Sequence, residues 1–170
     1  MDNKRKELIV SAIENGTVID HIPADKVFEV IKILGLEHSK NSVYFGTNLD
    51  SKKYGKKGII KISEKYFDPE DINKIALVAP TASLIEIKDF EVIKKHSIEI
   101  PNHIEGFVKC FNPNCVTNKE SVPTKFKVVK EDGKVNLKCH YCEKYTRQNN
   151  IEFIYSKQKK LANSPAFFYA

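Results

Sequence analysis

The 170-residue chain has no tryptophan and one methionine, seven glycines and seven prolines, and only four cysteines. No apolar run is long enough to span a bilayer, which excludes a membrane-embedded helix. The opening Met1–Glu7 is charged and leads into a short apolar stretch, so it lacks the core of a secretory signal peptide. A reducing, cytoplasmic setting is therefore expected, and that setting disfavours disulfides. There is no internal repeat and no low-complexity tract. Neither a Walker-type loop nor a G-x-G-x-x-G turn occurs, so no glycine-rich phosphate cradle is available. A length of 170 residues accommodates one ordinary domain or two small ones.

What is present begins with those cysteines. Cys110, Cys115, Cys139 and Cys142 read as C-x4-C and, after an intervening hairpin-sized segment, C-x2-C. Two tight turns, each presenting two thiolates, are what one tetrahedral zinc ion requires. Such a site is coordinatively closed, so one structural Zn2+ per chain is expected rather than a catalytic one. His140, between the two cysteines of the second pair, is an alternative ligand.

Charge divides the chain. The net charge is +6. Residues 1–100 hold 16 basic and 16 acidic side chains, whereas residues 101–170 hold 12 basic and 6 acidic. A nucleic-acid surface is one explanation. The other is that the excess partly offsets the negative charge of a zinc–tetrathiolate cluster.

Periodicity divides it in the same place. Thr17–Ile22 reads as a strand closed by Pro23, and Ala24–Leu34 as a helix with an apolar stripe stopped by Gly35. Ser42–Gly46 and Gly58–Ser63 read as strands around a lysine-rich turn over Ser51–Lys57. Asp68-Pro69-Glu70-Asp71 is a helix start, with a cap, proline at the first position and acids in the first turn. Ala82–Ile87 and Phe90–Lys94 are extended. The order predicts an α+β fold, a ferredoxin-like sandwich of an antiparallel sheet and two helices over residues 1–100. Residues 101–170 form a small all-β, zinc-ribbon-like domain whose hairpin turns at Asp132-Gly133. The stretch Lys157–Ala170 is basic and then apolar, an extension expected either to dock on a neighbour or to pack on its own domain or be disordered.

In the first half, Lys61, His21 and Lys95, if brought together, would make a pocket for a polyanion, with Asp20 an acceptor for hydroxyl groups. Strand alternation places Asp20 and His21 on opposite faces, which argues against an acid–base dyad. An RNA-recognition module shares the same element order, but Lys57-Gly58-Ile59-Ile60-Lys61-Ile62 lacks its stacking aromatics. No nucleic-acid partner is expected, and a zinc-ribbon nucleic-acid-binding protein is the alternative reading.

Gly16-Thr17-Val18-Ile19-Asp20-His21-Ile22-Pro23-Ala24 resembles the signature opening of the regulatory chain of aspartate carbamoyltransferase. Leu77-x-Ala79-Pro80, Cys110-x-Asn112-Pro113-Asn114-Cys115 with Asn118, and Lys138-Cys139-x-Tyr141-Cys142-Glu143 continue the resemblance in order, over roughly residues 8–150. The resemblance implies a non-enzymatic regulatory subunit of pyrimidine biosynthesis. Its partners would be the catalytic chain, a second regulatory chain, and the nucleotides CTP (inhibitor), ATP (activator) and UTP. It implies effector-site residues Val10, Ala12, Ile13, Asp20, His21, Lys61, Ile87, Phe90, Val92 and Lys95, with Lys57 toward a second, neighbouring nucleotide. The small apolar residues and Ile87 would flank the base, Asp20 and Phe90 the ribose, and Lys61, His21 and Lys95 the phosphates. Ser11 and Ile85 stand where the best-known members have glutamate and asparagine, departures that bear on effector identity.

Overall fold

The computed structural model describes residues 11–155. It divides into two compact units, residues 1–100 and 101–170. Among the described residues no helix is long and apolar enough to cross a membrane.

The first unit is an antiparallel sheet of five strands carrying two helices. Its strands are β1 (Gly16–Ile22), β2 (Val43–Ser51), β3 (Gly55–Ser63), β4 (Ser83–Lys88) and β5 (Glu91–Ser97), in the spatial order β2-β3-β1-β4-β5. Helix α1 (Val27–Ile33) follows a single 3-10 turn over Ala24–Lys26, and α2 (Pro69–Val78) connects β3 to β4. The expected β-α-β-β-α-β sandwich is thus present, with β5 added as a hairpin beyond β4. The β2–β3 hairpin is longer than its composition suggests. The polar residues Lys56 and Lys57 continue the ladder opposite Asp50 and Leu49, because an edge hairpin needs no apolar face at its tip.

The core lies between sheet and helices. Ile19, Ile60 and Leu84 lie opposite one another on the three central strands and are fully buried with Ile62 and Ile75. Asp68 caps α2, accepting a hydrogen bond of 2.8 Å from the Asp71 N–H, as the Asp-Pro-Glu-Asp pattern predicts. Gly58 is where α1 comes down on the sheet. A Cβ there would lie 2.0 Å from Val27 Cγ2, so only glycine admits the buried valine.

The second unit is an antiparallel sheet in the order β6-β7-β8-β9, with β6 (His103–Glu105), β7 (Lys125–Glu131), β8 (Lys134–Cys139) and β9 (Tyr145–Arg147). A four-residue helix, α3 (Val116–Lys119), follows the first cysteine pair. Asp132 and Gly133 both have positive φ (49° and 72°), which makes the Asp-Gly turn the tight hairpin link that suits twisted strands. The core is small. Phe126, Val108 and Leu137 are its largest fully buried side chains.

Candidate functional site

At the end of β8 the chain reaches Cys139, turns, and returns as β9, so Cys139 and Cys142 sit at the two ends of one tight turn. Glu143, just past it, adopts φ +58° and donates its N–H to the Cys139 carbonyl at 3.0 Å. The His140 N–H donates to the Lys125 carbonyl at 2.8 Å, anchoring the turn to β7. The other turn is tied by Asn118. Its side-chain amide donates to the carbonyls of Cys110 (2.8 Å) and Asn112 (2.7 Å), and so fixes the longer C-x4-C loop.

The turns face each other. Cys110 Sγ lies 3.7 Å from Cys142 Sγ, and Cys115 Sγ 3.8 Å from Cys139 Sγ. All four sulfurs fall within 4.8 Å of one another. Ligands about 2.3 Å from a common tetrahedral centre are about 3.8 Å apart, so the spacing fits one Zn2+. The separations are far longer than the roughly 2.05 Å of a disulfide. His140 is exposed, its ring edge-on to Tyr141 with centroids 5.1 Å apart, and is not part of the cluster. Burial pushes the Cys110 and Cys139 thiols up. Burial also opposes ionisation of Cys142, but the Lys144 N–H, the Asn112 side chain and the neighbouring thiols outweigh it and bring it down to about 7. A bound Zn2+ supplies the charge that ionises all four and, with no open position, acts as a structural clamp.

The second constellation lies on the sheet face of the first unit opposite its helices. Here one expectation fails. Asp20 and His21 do not diverge to opposite faces. A bulge interrupts the β1–β3 register between Ile19 and Ile22, and His21 adopts φ +57°. The extra residue leaves Ile19 and Ile22 both in the core while Asp20 and His21 emerge together. Their side chains approach to 3.7 Å. Asp20 Oδ1 accepts from the His21 N–H and from Lys57 Nζ, each at 2.7 Å. Burial alone would raise the Asp20 carboxyl, but Lys57 and the His21 N–H hold it below the usual carboxylate range. His21 Nδ1 lies 3.2 Å from Ser83 Oγ, its carbonyl accepts from Thr81 Oγ1 at 2.8 Å, and its ring meets Tyr54 edge-on.

Lys61 stands in a row across the sheet, in register with Tyr44 on one side and Val18, Ile85 and Lys95 on the other. Its ammonium donates to the Ser11 carbonyl at 2.8 Å. Burial lowers its pKa, an effect that the Asp20 charge opposes. Beside it Ile13, Val18 and Ile87 form a buried cluster with Ile59 and Ile85 packed on it. The structure thus gathers Asp20, His21, Lys57 and Lys61 beside a floor that contains Ile13 and Ile87. Lys95 is exposed on the β5 edge in the same cross-strand row. Phe90 and Val92 are exposed at the β4–β5 turn, where the Phe90 N–H donates to the Glu14 carbonyl at 2.9 Å. Ala12 is exposed. Val10 lies outside the described residues, as does the C-terminal extension from Lys157.

Ser83 and the floor residues Val18 and Ile59 are absent from the sequence-based set. Ile59 was detectable, since it lies two positions from both Lys57 and Lys61 and so shares their face. Ser83 was not, because its contact with His21 depends on the bulge.

Two family matches cover these two units. Residues 8–99 match the aspartate carbamoyltransferase regulatory chain, allosteric domain. Residues 102–152 match the metal binding domain of the same chain. The chain is 48% identical over 154 residues to the aspartate carbamoyltransferase regulatory chain of Bacteroides thetaiotaomicron, covering 91% of this chain and 100% of that one. It is 50% identical over 147 residues to that of Pyrococcus horikoshii, covering 85% of this chain and 96% of the relative.

Proposed function

The chain belongs to the family of aspartate carbamoyltransferase regulatory chains, which are non-catalytic, and from that premise we propose how its two units divide the work. Residues 1–100 bind a nucleotide effector, and residues 101–170, clamped by zinc, dock on the catalytic chain. The protein acts in the cytoplasm on pyrimidine biosynthesis.

The observation that carries the effector reading is the convergence of Asp20, His21, Lys57 and Lys61 beside an apolar floor. A nucleotide needs that pairing of surfaces. The base lies against Ile13 and Ile87, with the N-terminal Val10 and Ala12 flanking it. The ribose hydroxyls donate to Asp20, with Phe90 and Val92 alongside. The phosphates take Lys61, His21 and Lys95, whose donors suit phosphate oxygens. Lys57, already on Asp20, extends toward a second nucleotide. CTP is the proposed inhibitor and ATP the activator, with UTP a further ligand.

Regulation requires unequal binding in two quaternary states, since a ligand with equal affinity for both shifts nothing. A coupling of about 1–3 kcal/mol is typical. Pairing of two regulatory chains is supported by the exposed Phe28 and Phe45, whose rings meet edge-on at 5.6 Å beside the edge strand β2. Docking on the catalytic chain is supported by Phe111 and Tyr141, exposed on the two cysteine turns.

Calorimetry of CTP and ATP on the purified chain tests the effector site. Lys61→Ala and Asp20→Ala should each weaken binding by about 10- to 150-fold, the range for a hydrogen bond to a charged group. Unchanged affinities would remove those residues from the site.

A further inference from the structure

The β4–β5 hairpin departs from its local preferences at two points. Lys88 pairs with Glu91, so the link is the two residues Asp89 and Phe90, and both have positive φ, 51° and 62°. That is the geometry of a tight hairpin link, which asparagine and glycine adopt readily and a bulky aromatic does not. The second point is on β5. Ile87 lies opposite Val92 but Glu86 lies opposite Lys94, so Ile93 is an extra residue. Val92 and Lys95 are three positions apart and would point to opposite faces of a regular strand. With Ile93 inserted between them, they stand opposite Ile87 and Ile85, which belong to the apolar floor.

A link that its own residues disfavour needs support from outside the hairpin. The segment before β1 supplies it. The Glu14 carbonyl accepts from the Phe90 N–H at 2.9 Å, and Asn15 Oδ1 accepts from the Asp89 N–H at 3.0 Å. Asn15 is tied on its other side as well. Its Nδ2 donates to Glu64 Oε1 at 3.3 Å, and its carbonyl accepts from the Glu64 N–H at 3.0 Å. Glu64, just past β3, is itself at φ +54°. A backbone N–H can only donate and a carboxylate can only accept, so the side chain between them must do both, as an amide does and an ionised aspartate does not. The same segment presents the Ser11 carbonyl to Lys61 and Ile13 to the floor.

We propose that Asn15 is a positioning residue of the effector site, holding the strained Asp89–Phe90 link so that Phe90 and Val92 face the ribose of a bound nucleotide. The inference rests on the effector reading above and adds to it a residue that acts through Phe90.

The test is calorimetry of CTP and ATP on the full chain, for wild type, Asn15→Ala, Phe90→Ala and the double variant. Asn15 is only half-buried, so alanine there leaves the core of the unit intact. Asn15→Ala should weaken binding about 2- to 10-fold, the range for one hydrogen bond. In the Phe90→Ala background it should add less than about twofold, because residues that act through one another are not additive. Asn15→Asp combined with Glu64→Gln keeps an acceptor for the Asp89 N–H and reverses the bond to residue 64. That pair should restore affinity to within about twofold of wild type. Hydrogen exchange on the ligand-free chain should quicken at Asp89 and Phe90 in Asn15→Ala and stay slow in β1 and β3. Unchanged affinity or unchanged exchange in Asn15→Ala overturns the inference and leaves the effector reading standing. An equal loss with and without the Phe90 side chain, or failure of the exchanged pair to restore binding, does the same. Absence of CTP and ATP binding in wild type overturns both.

Discussion

The two units of this chain solve the same problem with different means. The first closes a five-stranded sheet over two helices and buries a continuous set of aliphatic side chains: Ile19, Ile22, Ile60, Ile62, Ile75 and Leu84 are all fully buried. Among its described residues the second has four short strands and a handful of buried side chains, and it places four thiols where a metal would hold them. One unit is held by area removed from water. The other is too small for that and depends on a metal, as small domains commonly do. The difference suits the proposed division of labour: a site on one sheet face of a unit held by apolar burial, and a docking surface shaped by a metal clamp.

The comparison can be broken most severely by removing zinc. Structural zinc supplies roughly 10–16 kcal/mol to small domains at neutral pH. Chelation, or Cys139→Ser, should unfold the second unit and leave the first folded, as read by amide exchange unit by unit. Simultaneous loss of both would show that the units are not independent. The complementary break is Leu84→Ala. Removal of a fully buried leucine should cost the first unit about 2–5 kcal/mol in urea unfolding, with zinc content unchanged.

Smaller changes sharpen the contrast. Asn118→Ala deletes both hydrogen bonds that tie the C-x4-C loop. By the usual effect of losing such supporting contacts, zinc affinity should fall about 10- to 100-fold, measured by competition with a chelator, while the first unit is untouched. Asp68→Ala removes the α2 cap and should cost about 1 kcal/mol in the first unit only.

The smallest effect concerns pH. Asp20 is held below its unfolded value of about 3.9. A depressed carboxylate contributes stability above that value and loses it as pH falls through the folded pKa. The stability difference between wild type and Asp20→Asn should therefore shrink below about pH 4. A constant difference from neutrality to pH 3 would show that the Lys57–Asp20 ion pair does not contribute in this way.

Legibility in the sequence followed how local the determining physics is. The cysteine spacing, the Asp68-Pro69 start and the Asp132-Gly133 turn were readable because each is decided within a few residues. The strands β6 and β9, three residues each, were not, since three residues carry no alternation to detect. The β1 bulge was invisible for a different reason. His21 at φ +57° is neither glycine nor asparagine, and nothing in Ile19-Asp20-His21-Ile22 announces an extra residue. That conformation is stabilised from outside, by Thr81 on the His21 carbonyl and Ser83 on its ring. The expectation of diverging side chains failed at that point, and with it the reason for treating Asp20 and His21 as unrelated. The apolar floor shows the intermediate case. Ile59 and Ile85 are recognisable as strand residues, but their meeting with Ile13 depends on how the segment before β1 lies on the sheet.

The central claim is that nucleotide binding in the first unit biases a catalytic chain held by the second. Its most direct test is reconstitution of the full chain with the catalytic chain of its own organism, followed by activity at subsaturating substrate with and without CTP or ATP. The account predicts a stable complex whose substrate half-saturation shifts with nucleotide by about 5- to 150-fold, with the shift abolished in Lys61→Ala although the complex still forms. Failure to assemble, or a complex indifferent to every nucleotide tested, would contradict it.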